Sequence, residues 1–192
     1  MNDRFEGKVA LVVGGANADD SRLLGFAGLA ALEIAKLGGK IIIGDIDDEA
    51  GERSVKRMKE AGLTADYMHL DVTSESDWIT AVEAATSMYG RLDILIMAAG
   101  AGDRDTSIED TPVDAWRKVM DVTNLGMFLG TRSVVGAMRE SGGGSIVLIS
   151  SMMAKVVRES ANAYATSRAG MTHFARSAAV QYGADNIRVN TV

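Results

Sequence analysis

Four short apolar runs, Val9–Val13, Ile41–Ile43, Ile94–Met97 and Ile146–Ile149, punctuate the chain without the apolar–polar alternation of a half-solvated strand. Successive side chains of a strand point to opposite faces, so an unalternated run must be covered on both sides. That condition is met inside a parallel sheet. Between the runs lie segments with helical spacing. Gly25–Leu37 ends at the stop signal Gly38-Gly39. Asp48–Glu60 is charged and amphipathic, and Glu75–Tyr89 follows Ser74, a capping residue by type. Val113–Arg139 and Tyr164–Tyr182 are longer and rich in small and apolar residues, while Tyr67–Leu70 and Arg188–Val192 are weaker strand candidates. Pro112 stands just before a helix, where its missing N–H costs little. Strand–helix alternation requires crossover connections, which predicts an α/β, doubly wound parallel sheet with helices on both faces, as one domain over residues 1–192.

Composition narrows the chemistry. The net charge of −6 argues against electrostatic binding to nucleic acid or anionic membrane, which depends on clustered Lys and Arg. The absence of cysteine excludes disulfides, thiolate catalysis and zinc–thiolate sites. Only His69 and His173 are available as imidazole ligands, and they are far apart. His69 reads as a strand-end residue beside Asp71, and His173 as a structural or interface residue. The polar start and the shortness of Val9–Val13 give no secretion signal or span, so the expected location is the cytoplasm.

The first run leads into Gly14-Gly15-Ala16-Asn17, and a helix begins near Gly25-Phe26-Ala27. A strand, a glycine turn and a helix together aim backbone N–H groups and the positive helix end at a pyrophosphate. The second run ends at Asp45. A carboxylate there can accept both hydroxyls of an adenosine ribose and repels a 2′-phosphate, which favours NAD over NADP. The alternatives are an ordinary glycine turn and a solvated Asp45 beside Asp47 and Asp48.

Gly144-Ser145-Ile146-Val147-Leu148-Ile149 is a buried strand that ends in Ser150-Ser151, and Tyr164-Ala165-Thr166-Ser167-Arg168 follows. Ligands of such sheets bind at strand C-termini. Tyr164 and Arg168, four apart, share one helix face. A fixed positive charge beside a phenol stabilises its phenolate, so Tyr164 could exchange a proton with a carbonyl or alcohol while a serine holds the same oxygen.

These segments, with Asp71-Val72-Thr73, Leu92-Asp93-Ile94-Leu95, Ala98-Ala99-Gly100 and Ile187-Arg188-Val189-Asn190, resemble the short-chain dehydrogenase/reductase family from Gly7 to Val192. The resemblance implies that Asp71 and Val72 sit at the adenine ring and that Ala98, Ala99 and Gly100 line the cofactor. It implies Ser151 at the substrate oxygen, Tyr164 as acid/base, and Arg168 in place of the family lysine at the nicotinamide ribose. It also implies a homodimer or homotetramer built on the two long helices, and a chain that ends before the family's usual substrate loop and last strand.

The departures are specific. Gly14-x-Ala16-Asn17 followed by Ser21-x-x-x-Gly25-Phe26-Ala27 resembles the loop of enoyl-acyl carrier protein reductases, with an extra residue among Ala18, Asp19 and Asp20. On that likeness Gly14, Ala16 and Ser21 are the cofactor-binding positions of the loop. Met97 and Ala98 stand where asparagines are usual, and Thr123, with Asn124 beside it, stands where the helix asparagine is expected. Three readings follow. One is an oxidoreductase acting on a ketone or secondary alcohol with NAD. The others are a dinucleotide-binding protein without turnover and an enoyl thioester reductase.

Overall fold

The computed structural model describes residues 4–16, 25–102 and 107–192. Ser21, the Ala18–Asp20 positions and the Asp103, Arg104 and Asp105 loop lie outside the described residues. The strands are β1 (Val9–Val13), β2 (Lys40–Asp45), β3 (Ala65–His69), β4 (Ile94–Met97), β5 (Gly144–Leu148) and β6 (Ile187–Thr191). They form a six-stranded sheet in the order β3-β2-β1-β4-β5-β6, and every neighbouring pair is parallel. The order reverses between β1 and β4, which opens a crevice above their C-terminal ends.

The helices are α1 (Phe26–Lys36), α2 (Asp48–Glu60), α3 (Glu75–Tyr89), α4 (Val113–Met120), α5 (Gly126–Glu140) and α6 (Asn162–Tyr182). Odd residues of β1 (Val9, Leu11, Val13) pack with Trp78 of α3, Val134 and Met138 of α5 and Met171 of α6. Even residues (Ala10, Val12) pack with Ala31 and Ile34 of α1 and Val55 and Met58 of α2. The pleat thus delivers one strand to two cores, which is why no polar residue interrupts it. The edge strands behave differently. In β6, Arg188 and Asn190 are exposed, so alternation returns where one face is open. Ser74 caps α3 as expected, accepting from the Asp77 N–H. Trp78 is fully buried with its indole N–H on the Val72 carbonyl, 2.9 Å away. Trp116 is only half-buried, because it lies on the short helix α4.

The expected helix over Val113–Arg139 forms without interruption but not with uniform winding. A π-helical turn, Asp121–Leu125, separates α4 from α5. It admits an extra residue into the helical ladder at Thr123 and Asn124, neither of which favours a regular helix interior. No helix among the described residues is long and apolar enough to cross a membrane.

Asp93 clamps the lower end of the sheet. One carboxylate oxygen accepts from Lys8 Nζ at 2.9 Å and Arg91 Nη2 at 2.6 Å. The other accepts from the Val9 N–H at 3.0 Å and Arg91 Nε at 2.7 Å. Burial opposes its ionisation, yet the Arg91 and Lys8 bonds outweigh burial and hold its carboxyl below the usual range. A depressed folded-state value means that this stabilisation is complete above the ordinary carboxylate range and is lost as pH falls through the folded value. Asp93→Asn is expected to cost about 2–3 kcal/mol at neutral pH. Urea unfolding should show the difference between variant and parent shrinking as pH falls below about 4.

Candidate active site

Gly14 leaves β1 with its N–H on the Gly44 carbonyl at 2.9 Å, and the Ala98 N–H donates to the Val13 carbonyl at 2.9 Å. The glycine turn is therefore held between β2 and β4. Gly14 adopts φ +76, and a Cβ there would lie 2.6 Å from Ala99 N. Both conformation and space require glycine. The next fixed point is Ala16, whose N–H donates to Asp45 Oδ2 at 3.0 Å and whose carbonyl accepts from Ser54 Oγ. Asp45 also accepts from the Asp47 N–H at 3.2 Å, through Oδ1. Sequence reading gave Asp45 a ligand to hold. The structure shows that its carboxylate also fastens the glycine turn to β2, using one acceptor position on each oxygen and leaving others open.

A cleft of about 290 Å³ lies above this point, lined by Gly14, Asp45, Leu70, Asp71, Val72, Ala98, Ala99, Gly100 and Val122 among others. Seven of the expected cofactor positions thus surround one space, and Ala16 is tied to it through Asp45. Asp71 spends one oxygen on its own turn, accepting from Thr73 N–H at 2.9 Å and Thr73 Oγ1 at 2.8 Å. Val72 is buried, and a Cβ at Gly126 of α5 would lie 2.9 Å from its Cβ. Val122, from the π-helical turn, was not among the expected lining residues.

The catalytic candidates meet at the same end of the sheet. Ser151 follows β5 and accepts from the Met153 N–H at 3.2 Å, an arrangement that leaves its own O–H proton to donate. The short 3₁₀ turn Met152–Ala154 then packs on α6, which carries Tyr164 and Arg168. Arg168 is 6% exposed. Its Nη1 donates to the Ile149 carbonyl at 2.8 Å, and its guanidinium carbon lies 4.8 Å from the centroid of the Tyr164 ring. A Cβ on Gly100 would lie 2.2 Å from Arg168 Nη2, so the head group fills the space that glycine leaves at the end of β4. Among the described residues no carboxylate pairs with this buried cation. A carbonyl and an aromatic face are its recorded partners.

Two supporting features were not evident from the sequence. Asn124 Nδ2 donates to the Ser167 carbonyl at 3.1 Å, tying the π-helical turn to the residue before Arg168. Ala161, directly before α6, has φ 68, a left-handed conformation uncommon for alanine, and it sets the entry angle of the Tyr164 helix. Among the described residues Thr123 Oγ1, Asn124 Oδ1 and Arg168 Nε are buried polar atoms without a hydrogen-bond partner. The glycine cradle at Gly14, the acceptor Asp45 and the unpartnered Arg168 Nε are features that fit a dinucleotide cofactor.

Comparison with known proteins agrees. A family model described as Enoyl-(Acyl carrier protein) reductase matches residues 23–192. The 3-alpha-(or 20-beta)-hydroxysteroid dehydrogenase of Mycobacterium tuberculosis is 37% identical over 192 residues, spanning 100% of this chain and 70% of that protein. The trans-4-hydroxycyclohexanecarboxylate dehydrogenase of Sinomonas cyclohexanicum is 34% identical over 198 residues, spanning 100% of this chain and 73% of that protein. A short-chain type dehydrogenase/reductase from Mycobacterium ulcerans superposes with a TM-score of 0.91 at 26% identity, over 97% of this chain and 66% of that one. The chain belongs to the short-chain dehydrogenase/reductase family, as an oxidoreductase that passes a hydride between a nicotinamide cofactor and a ketone or secondary alcohol.

Proposed function

We propose that the protein is an NAD(H)-dependent dehydrogenase of ring-borne secondary alcohols, with Tyr164 as the proton-transferring residue. The observation that carries this reading is the position of Arg168, which joins the ends of β4 and β5 to the Tyr164 ring. The nicotinamide supplies or accepts the hydride. Ser151 donates to the substrate oxygen and orients it. Tyr164 Oη takes the hydroxyl proton during oxidation and returns it during reduction. Arg168 stabilises the negative charge that develops on the tyrosine oxygen as its proton leaves, and it takes the position of the family lysine at the nicotinamide ribose. At the cleft, Gly14 and the adjoining Ala16 hold the pyrophosphate; Ser21, assigned to it from the sequence, lies outside the described residues. Asp71 and Val72 flank the adenine, and Ala98, Ala99 and Gly100 form the cofactor floor.

The substrate class rests on two supports. The relatives just described are named for a hydroxysteroid and a hydroxycyclohexanecarboxylate, both hydroxylated cyclic compounds. The segments after β4 and β5 expose large apolar side chains: Ile108 (80%), Met152 (74%) and Val157 (86%). Exposed apolar side chains beyond the strand ends suit contact with an apolar ring. Assays with ring alcohols, their ketones and enoyl thioesters test the reading. Turnover of ring alcohols with NAD is expected. Turnover confined to enoyl thioesters would favour the enoyl reductase reading, which the Gly14–Ala27 loop and the family model's description support.

Asp45 should make NADH bind more tightly than NADPH by roughly tenfold or more, a charge-repulsion effect of about 1.4 kcal/mol or above. Fluorescence titration should find this gap, and Asp45→Ala should narrow it. Part of the affinity for both cofactors should fall as well, because Asp45 also anchors Ala16. Assembly is expected to use the long helices, which present Leu125, Phe128 and Val180 outward. Sedimentation at micromolar concentration should show a dimer or tetramer, and a monomer alone would count against it. The expected setting is the cytoplasm.

A further inference from the structure

His69 closes β3 and is the register partner of Asp45, the last residue of β2. Its Nδ1 lies 2.8 Å from Asp48 Oδ1. The same oxygen accepts the Tyr67 hydroxyl at 2.6 Å, and that hydroxyl also reaches the Asp45 carbonyl at 2.8 Å. The residue after His69, Leu70, lines the cleft together with Asp45, Ile46 and Asp71. An imidazole is therefore fastened beside the cleft, next to the carboxylate assigned to the adenosine ribose. The charged groups that act on it are Asp48 at the head of α2, Asp77 in the first turn of α3 and Asp71 in the turn before it, while Tyr67 shares its Asp48 acceptor and Asp45 is its register neighbour on β2. His69 is the one imidazole in this acidic cluster, the side chain type whose charge changes near neutral pH.

We propose that His69 is a second determinant of cofactor choice. As imidazolium it offsets the acidic field of Asp45, Asp47 and Asp48 over the 2′ position of the bound ribose, and as neutral imidazole it leaves that field unopposed. Discrimination against a 2′-phosphorylated dinucleotide therefore strengthens as His69 loses its proton. The inference rests on the assignment of Asp45 to that ribose. The hydrogen bond from Asp48, then the charges of Asp48, Asp77 and Asp71, hold His69 above the ordinary imidazole range. Asp48 is in turn held below the usual carboxylate range, first by the Tyr67 hydroxyl and then by His69. The change is therefore displaced to higher pH than in an ordinary histidine.

The test is titration of NADH and NADPH at low ionic strength between about pH 6 and pH 9. It is run on the unmutated protein, His69→Gln and Asp48→Asn. In the unmutated protein the ratio of NADPH to NADH dissociation constants should rise roughly three- to tenfold across this range, the size of one screened charge–charge interaction near a surface. The 2′-phosphate's own ionisation is common to all three proteins and cancels in the comparison. His69→Gln should flatten the rise to that common background. Asp48→Asn should move it to lower pH, because the imidazolium loses its acceptor. An unchanged pH course in His69→Gln, with NADH still preferred, overturns the role of His69 alone. Equal affinities at every pH, unaltered by Asp45→Ala, overturn the assignment of Asp45 and the inference with it.

Discussion

Tyr164→Phe is expected to lower kcat for ring-alcohol oxidation by about 10²–10⁴-fold, the usual share of a positioned acid–base group. The substitution removes one oxygen and keeps the ring on which Arg168 stacks, 4.8 Å from its centroid. NADH affinity and the unfolding midpoint should therefore stay close to the parent's. That separation identifies the hydroxyl as a chemical participant rather than a packing element. Steady-state kinetics beside fluorescence titration of NADH reads both quantities. A variant that keeps kcat would place the proton transfer elsewhere.

Arg168 carries the second large effect. Arg168→Leu removes a buried cation and is expected to lower kcat/KM by about 10²–10³-fold, in line with loss of one preorganised charge at a reacting group. NADH affinity should fall as well, because the head group is packed against Gly100 at the cofactor floor. Arg168→Lys should retain or improve the rate. A lysine ammonium keeps the charge, although it lacks the planar fork that donates to the Ile149 carbonyl. The two side chains differ in a way that a pH profile detects. Guanidinium stays charged throughout, whereas a buried ammonium can lose its proton, so the lysine variant should show an alkaline decline in kcat that the parent lacks. Equal rates for parent, Leu and Lys variants would remove Arg168 from the chemistry.

Most of the fold could be read directly from residues. The unalternated runs Val9–Val13 and Ile94–Met97 coincide with β1 and β4, since burial on both faces leaves no position for a polar side chain. The limits of α2 and α3 were equally legible, α2 from its charged amphipathic pattern and α3 from the capping residue Ser74; the cap of α2 by Asp47 is seen in the structure. Other boundaries moved by a residue or a few, as at β3, where Ala65–His69 forms the strand rather than Tyr67–Leu70. An edge strand mixes polar and apolar positions, so its pattern marks its ends poorly. The π-helical turn at Asp121–Leu125 left no periodic trace, since one inserted residue shifts the phase of an apolar stripe too little to register.

For the site, residue types at strand ends pointed to Gly14 and Asp45, and the family resemblance pointed to Asp71, Val72, Ala98, Ala99 and Gly100; all seven line one cleft. What could not be read was how those side chains are already employed. Asp45 holds the Ala16 and Asp47 amides, and Asp71 folds onto Thr73. A spacing of four residues placed Tyr164 and Arg168 on one face, but not the guanidinium over the ring. The left-handed Ala161 was invisible because alanine carries no signal for that conformation.

Hydride transfer between a ring carbon and the nicotinamide is tested most directly by deuterium transfer from a cyclic secondary alcohol, labelled at its carbinol carbon, to NAD bound by the unmutated protein. Deuterium is expected on the nicotinamide ring, formed in step with ketone and abolished in Tyr164→Phe. Tight NAD or NADH binding with no label transferred from any ring alcohol, and no reduction of the matching ketones, would contradict it and leave a dinucleotide-binding protein without turnover.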